Sequence, residues 1–106
     1  MSNIKMTQSL ALDKNDVIYA LKTEKQDYFT VNFKNGRTLQ FPIVLWDCLA
    51  TQFWTCDTKL PIMVNFENLL ACHRKGNELN LYFSDCFRCI VHTEAEEIWK
   101  YICRNI

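Results

Sequence analysis

The stretch from Phe29 to Phe41 constrains the fold more than any other, because only one of its two registers can be folded. Phe29, Val31 and Phe33 alternate with Tyr28, Thr30, Asn32 and Lys34, and Leu39 and Phe41 alternate with Thr38 and Gln40. A period of two marks half-buried strands, and Asn35-Gly36 supplies a turn between them. A two-residue loop, the usual setting of Asn-Gly, would pair Lys34 with Arg37 and hence Asn32 with Leu39. Apolar and polar side chains would then share each face, which a sheet with one buried face cannot accept. A three-residue loop, Lys34-Asn35-Gly36, pairs Val31 with Leu39 and Phe29 with Phe41. Gly36 then takes a left-handed bulge position, which costs glycine least.

The same pattern returns fifty residues later. Leu79, Leu81 and Phe83 stand for Phe29, Val31 and Phe33; Cys89 and Val91 stand for Leu39 and Phe41; Asp85 and Cys86 stand for Asn35 and Gly36. Outside the hairpins, Tyr19-Ala20-Leu21-Lys22 parallels Leu70-Ala71-Cys72-His73. Leu45-Trp46 with Leu49 parallels Ile98-Trp99 with Ile102. These correspondences predict an internal duplication of a β-β-β-β-α unit, with pseudo-repeats at about 5–54 and 60–106. In the first unit the strands are expected at Met6–Leu12, Val17–Glu24 and the two arms of the hairpin. A helix follows from Pro42, which suits a first helical turn, and fades near Trp54. In the second unit the strands are expected at 62–66, 69–74, 78–84 and 87–92. Thr93 and Glu96 form a capping box for a last helix whose apolar stripe is Ile98, Trp99, Ile102 and Ile106. A unit of fifty residues buries little by itself, so both are expected to share one domain over 1–106, α+β in class, with antiparallel sheet or sheets packed against two helices. Terminal strands such as Met6–Leu12 leave an edge through which a homodimer could form.

Composition narrows the function classes. Apolar residues make up 49 % of the chain and aromatics 13 %, enough for a packed core. Twelve basic residues balance twelve acidic ones, so no basic footprint for duplex DNA and no acidic mimic of nucleic acid is visible. The first residues lack the apolar run of a secretory signal, and no run is long enough to cross a bilayer. A cytoplasmic location is expected, with the six cysteines (48, 56, 72, 86, 89 and 103) as reduced thiols.

Few residues suggest chemistry. Cys86-Phe-Arg-Cys89 is a CxxC, and Cys72-His73 on the neighbouring strand is the only second pair that could complete a metal site with it. Cys89, however, falls at the buried position of Leu39, where a small hydrophobe is the plain explanation. His73 and His92 are not spaced from any cysteine as a nucleophile pair would be. Glu94, Glu96 and Glu97 suit a helix N-terminus. With no glycine-rich phosphate loop either, no enzyme activity and no cofactor is expected.

The outward-facing hairpin positions are the candidate contact residues: Tyr28, Asn32, Lys34 and Gln40 on the first, Tyr82, Arg88 and His92 on the second. Trp54, at the end of the first helix, joins them. Mixed aromatic, amide and cationic surfaces serve protein interfaces and also stack the bases of single strands. In element order, β-β-β-β-α written twice resembles the plant Whirly and purine-rich-element-binding proteins, a resemblance of topology that implies single-stranded nucleic-acid binding on sheet surfaces. The neutral charge points instead to a protein partner. The favoured expectation is a non-enzymatic protein-binding module, a small inhibitor of a host-defence or nuclease complex of the kind mobile elements and toxin-immunity systems carry. Single-stranded nucleic-acid binding is the alternative.

Overall fold

A computed structural model describes residues 3–22, 27–56, 62–84, 87–91 and 95–105, with 84 and 87–91 described by their backbone. The strands are β1 (Asn3–Lys5), β2 (Ala11–Asp13), β3 (Val17–Lys22), β4 (Tyr28–Phe33), β5 (Thr38–Pro42), β6 (Trp54–Cys56), β7 (Ile62–Val64), β8 (Ala71–Lys75), β9 (Glu78–Ser84) and β10 (Phe87–Val91). The helices are α1 (Trp46–Ala50) and α2 (Ala95–Asn105). Among the described residues every strand pairing is antiparallel, so the class is α+β as expected.

The central layer is a five-stranded sheet in the order β5-β4-β3-β7-β6. Its first hairpin has the expected register, Val31 opposite Leu39 and Phe29 opposite Phe41. Phe33 N–H donates to Arg37 O at 2.9 Å and Gly36 N–H to Phe33 O at 3.0 Å, which closes a three-residue loop with Gly36 at φ 85. One face of this sheet, with Ala20, Phe29, Val31, Phe41 and Met63, packs under α1 and the β1–β2 pair. Trp46 of α1 meets Phe29 edge-on at 5.2 Å, and Phe29 leans on Phe41 at 5.9 Å. The opposite face presents Ile62 and Val64 from β7 and Cys56 from β6, with Ile18 bulged out of β3. A three-stranded sheet, β10-β9-β8, covers it with Leu79, Leu81 and Phe83, and α2 adds Ile98 and Ile102. Each such fully buried side chain contributes about 1.5–3 kcal/mol. β7 is buried at all three residues because it has a core on each side: Met63 belongs to one, Ile62 and Val64 to the other.

The internal duplication is not confirmed. Both hairpins share a register, with Leu81 opposite Cys89 and Leu79 opposite Val91. Their sheets differ. β7, expected to open a second sheet, lies between β3 and β6 of the first. Among the described residues each half carries five strands and a helix rather than four and a helix, and the strands of the two halves do not form equivalent sheets, which departs from the β-β-β-β-α unit behind the resemblance to Whirly and purine-rich-element-binding proteins.

The strand expected at 62–66 stops at Val64, because Asn65 caps a 3-10 turn that takes Phe66, and the strand expected at 69–74 lies at Ala71–Lys75. Three further departures have local reasons. Met6–Leu12 is not one strand: Met6 and Thr7 N–H both donate to Leu10 O, at 2.8 and 3.1 Å, and Ser9 N–H donates to Thr7 Oγ1 at 3.2 Å. The segment folds back, and β1 pairs with β2 through Ile4 opposite Leu12. The helix after Pro42 begins as a 3-10 turn at Ile43–Leu45 and stops at Ala50. Thr51 Oγ1 donates to Cys48 O at 3.0 Å, and Gln52 and Phe53 N–H reach back only three residues, the side-chain competition that ends helices. Trp54 and Thr55, expected at the helix end and in a linker, pair instead with β7. The second hairpin turn at 85–86, and His92, Thr93 and with it the expected capping box, lie outside the described residues, as does the rest of the expected linker at 57–59.

Candidate functional site

The registers of the central sheet bring four connections to one end. β3 begins there at Val17, β4 ends there at Phe33, β5 begins there, β7 ends there at Val64 opposite Trp54 of β6. The loop end so formed holds the 3-10 turn Lys14–Asp16, the hairpin loop 34–37, the residues 51–53 before β6, and the 3-10 turn Phe66–Asn68.

Two asparagines bind this end together. Asn65, 3 % exposed, donates from Nδ2 to Lys14 O and to Val17 O, both at 3.0 Å. Its Oδ1 accepts from Glu67 N–H at 3.2 Å. Asn68 Nδ2 donates to Asn15 O at 2.7 Å and to Val17 O at 2.8 Å. Asn65 also donates its backbone N–H to Ile18 O at 2.9 Å. The hairpin loop is tied in as well, since Lys34 N–H donates to Asp16 O at 2.9 Å and Arg37 N–H to Asn35 Oδ1 at 3.0 Å. An amide side chain suits these positions because it offers two donors and an acceptor in one plane. Neither Asn65 nor Asn68 stands out in the sequence. The signal was available, because Asn directly before a short turn commonly accepts from the N–H two residues on.

The clamp fixes the backbone from which Lys14, Asn15, Lys34 and Arg37 project. Lys34 and Arg37 are exposed, and Lys14 Nζ lies 5.8 Å from the centre of the Phe53 ring. Three other cations have local partners. Arg74 meets Glu96 at 2.6 Å and stands over Trp99 at 5.8 Å, Lys100 lies 3.8 Å from Glu97, and Lys22 stands over Trp46 at 5.7 Å. Beside the clamp is a cleft of about 150 Å³, lined by Lys14, Gln52, Phe53, Trp54, Val64, Asn65, Phe66, Glu67 and Tyr101. Trp54, Phe66 and Tyr101 form a ring cluster within it. Phe66 stacks on Tyr101 at 4.6 Å, and Trp54 lies 5.6 Å from Phe66 and 5.5 Å from Tyr101. All three are only half-buried.

The candidate contact residues do not converge. Lys34 and Trp54 lie at the loop end, Trp54 inside the ring cluster. Gln40 is exposed on the edge strand β5, and Tyr28 is half-buried at the far end of the same face. Asn32 is corrected: it is buried, 9 % exposed, and unavailable to a partner. Its neighbour across β3 is Tyr19, which stacks on Phe83 of the second sheet at 6.1 Å, so the face expected to be open is a layer boundary there. Tyr82 is half-buried on the outer face of the three-stranded sheet, with the backbone of Arg88 opposite it. His92 lies outside the described residues.

Of the cysteines and histidines singled out for metal binding, Cys72 is half-buried and His73 exposed. Burial pushes the Cys72 thiol up from its usual range, with the nearby Cys103 adding to the effect. Among the described residues no group of three His, Cys, Asp or Glu side chains is placed to share an ion, and no helix is long and apolar enough to cross a membrane.

No protein-family profile and no curated protein matches the sequence. Among solved structures, the chain is similar to the LytTr DNA-binding domain of a Bacillus cereus response regulator. The TM-score is 0.62 over 96 % of this chain and 94 % of that one, at 14 % identity. At that identity the likeness is one of fold. It overturns the expectation of a protein-binding inhibitor from a mobile element, since the small β-rich architecture is shared from end to end with a domain that binds DNA.

Proposed function

We propose that this chain is a DNA-binding domain that meets DNA with the loop end of its central sheet. The observation that carries the proposal is the end-to-end likeness to the LytTr DNA-binding domain. The loop end supports it chemically. Lys14, Lys34 and Arg37 are suited to phosphates, and Asn15 offers an amide that can position on the backbone or read base edges. The clamp of Asn65 and Asn68 holds these side chains on a fixed backbone, which limits the ordering cost of binding. Asp13, Asp16 and Glu67 lie in the same loops, so non-specific attraction is weak and discrimination falls to base contacts.

The test is binding of a labelled duplex and the matching single strand at several salt concentrations. Three phosphate contacts give a slope of log K on log salt of about −2.7 for a duplex. Absence of binding to either form at low salt removes the proposal. A second route is favoured by one observation: His73 and Lys75 are exposed on the strand beside Tyr82, on the outer face of the three-stranded sheet. That face suits a single strand stacked on Tyr82. Preference for the single strand, lost in Tyr82→Ala, would assign binding to it instead.

A further inference from the structure

We propose that the cleft beside the loop end is a subsite for one unpaired nucleobase. The proposal rests on the DNA-binding reading and adds to it a place where a base leaves the stack. At about 150 Å³ the cleft is smaller than the roughly 300–1,000 Å³ of drug-sized sites, and so fits a single flat ring system. Its walls are Phe53, Trp54, Phe66 and Tyr101, all half-buried, so ring surface is left toward solvent where a packed core would have closed it. Every base has a face that stacks on such rings.

The polar groups of the cleft choose the occupant. Gln52 and Glu67 are exposed and line it, offering donors and acceptors for a base edge. Lys14 also lines it, its cation 5.8 Å from the centre of the Phe53 ring and its backbone held by Asn65. That cation is suited to the phosphate attached to the base. A phenyl group from a partner protein would need none of these three. The cleft also adjoins the cationic loops: Lys14 belongs to both, and the hairpin loop is bonded to Asp16 two residues on. A strand lying on Lys34 and Arg37 can thus deliver a base to Trp54 without leaving the surface.

The experiment compares two duplexes of one sequence, one fully paired and one carrying a single bulged 2-aminopurine, with adenosine monophosphate as a separate probe. The bulged duplex is expected to bind about tenfold more tightly, within the range for one stacked base, and its fluorescence to fall on binding. Tyr101→Leu and Gln52→Ala should each bring the ratio of bulged-duplex to paired-duplex affinity toward one. Gln52 is exposed, so its variant keeps the test valid if Tyr101→Leu misfolds. Equal affinities with unchanged fluorescence overturn the subsite and leave DNA binding standing. Should neither duplex bind, DNA binding fails, and the subsite is decided by titrating adenosine monophosphate while following the Trp54 indole N–H signal. A saturable shift supports it, and no shift overturns it. A shift with N-acetylphenylalanine amide but not with the nucleotide gives the cleft to a protein side chain and overturns it too.

Discussion

The two hairpins, β4–β5 and β9–β10, obey one local grammar and end in different surroundings. Each turns its apolar alternation toward a core, Phe29 and Val31 in one case, Leu79 and Leu81 in the other. The first lies in the middle layer. Its polar side meets the second sheet near Tyr19, and Asn32 is buried there. The second forms an outer layer, where Glu78 is exposed and Tyr82 is half-buried, with Asn80 between them buried at 5 % exposure. A period of two thus fixes which residues share a face. What lies over that face is decided by strands far away in the chain.

The comparison breaks most visibly in the cores. Phe29→Ala and Phe83→Ala should each cost about 3–5 kcal/mol in denaturant unfolding, the usual range for truncating a buried Phe. The two lie in separate clusters on opposite faces of the central sheet. Their effects should therefore add to within about 0.5 kcal/mol in the double variant. A large coupling would mean that the sheet transmits strain between the layers. Next in size is the clamp. Asn65→Ala should cost about 1–3 kcal/mol, because Lys14 O loses its side-chain donor, Glu67 N–H loses its acceptor and Val17 O keeps only the bond from Asn68. Asn68→Ala should cost less, since its bond to Asn15 O is exposed to solvent, which can replace it, whereas the Asn65 bonds are buried or partly so.

Turns come third. Gly36 at φ 85 and Gly76 at φ 59 both lie in the left-handed region. Gly36→Ala should lose about 1–2 kcal/mol. Gly76→Asn should lose less than about 1 kcal/mol, because its angle is one Asn adopts readily and no atom lies within 4 Å of an added Cβ. Thermal melts of the pair decide this. The smallest effect on stability falls at the surface. Lys34→Ala and Arg37→Ala should stay within about 0.5 kcal/mol of the parent. Each should nonetheless lower the salt slope of DNA binding by about 1. Tyr82→Ala should leave that slope unchanged. The reverse pattern would move the interface to the outer sheet.

Much of the local fold was legible. The register of the first hairpin followed from matching apolar faces, and β9 has the expected bounds because Leu79, Leu81 and Phe83 alternate cleanly. The layer order was not legible, although a clue stood in the chain. Ile62-Met63-Val64 is an unbroken apolar run, as expected of a strand covered on both faces, and read as the first strand of a second unit it loses that meaning. Trp54 was assigned to a helix because Leu49, Ala50 and Phe53 continue the helical spacing, whereas the Thr51 hydroxyl ends the helix. Of the candidate contact residues, Lys34, singled out as an outward-facing hairpin position, lies at the loop end. The clamp was missed because each bond donated by its side-chain amides joins residues about fifty apart, and no periodicity encodes such a partner.

The position of β7 between β3 and β6 has a consequence for how the chain is made. On a ribosome, β3, β4 and β5 emerge well before Ile62–Val64, and during that interval β3 is an uncovered edge carrying Val17, Ile18 and Ala20. Such an edge is a template for pairing with another nascent chain. Closing it requires contacts of long sequence separation, which form slowly. A pause that holds the chain with β3, β4 and β5 outside the ribosome and Ile62–Val64 still inside it should therefore raise the aggregated fraction, whereas a pause after Ile62–Val64 has emerged should not.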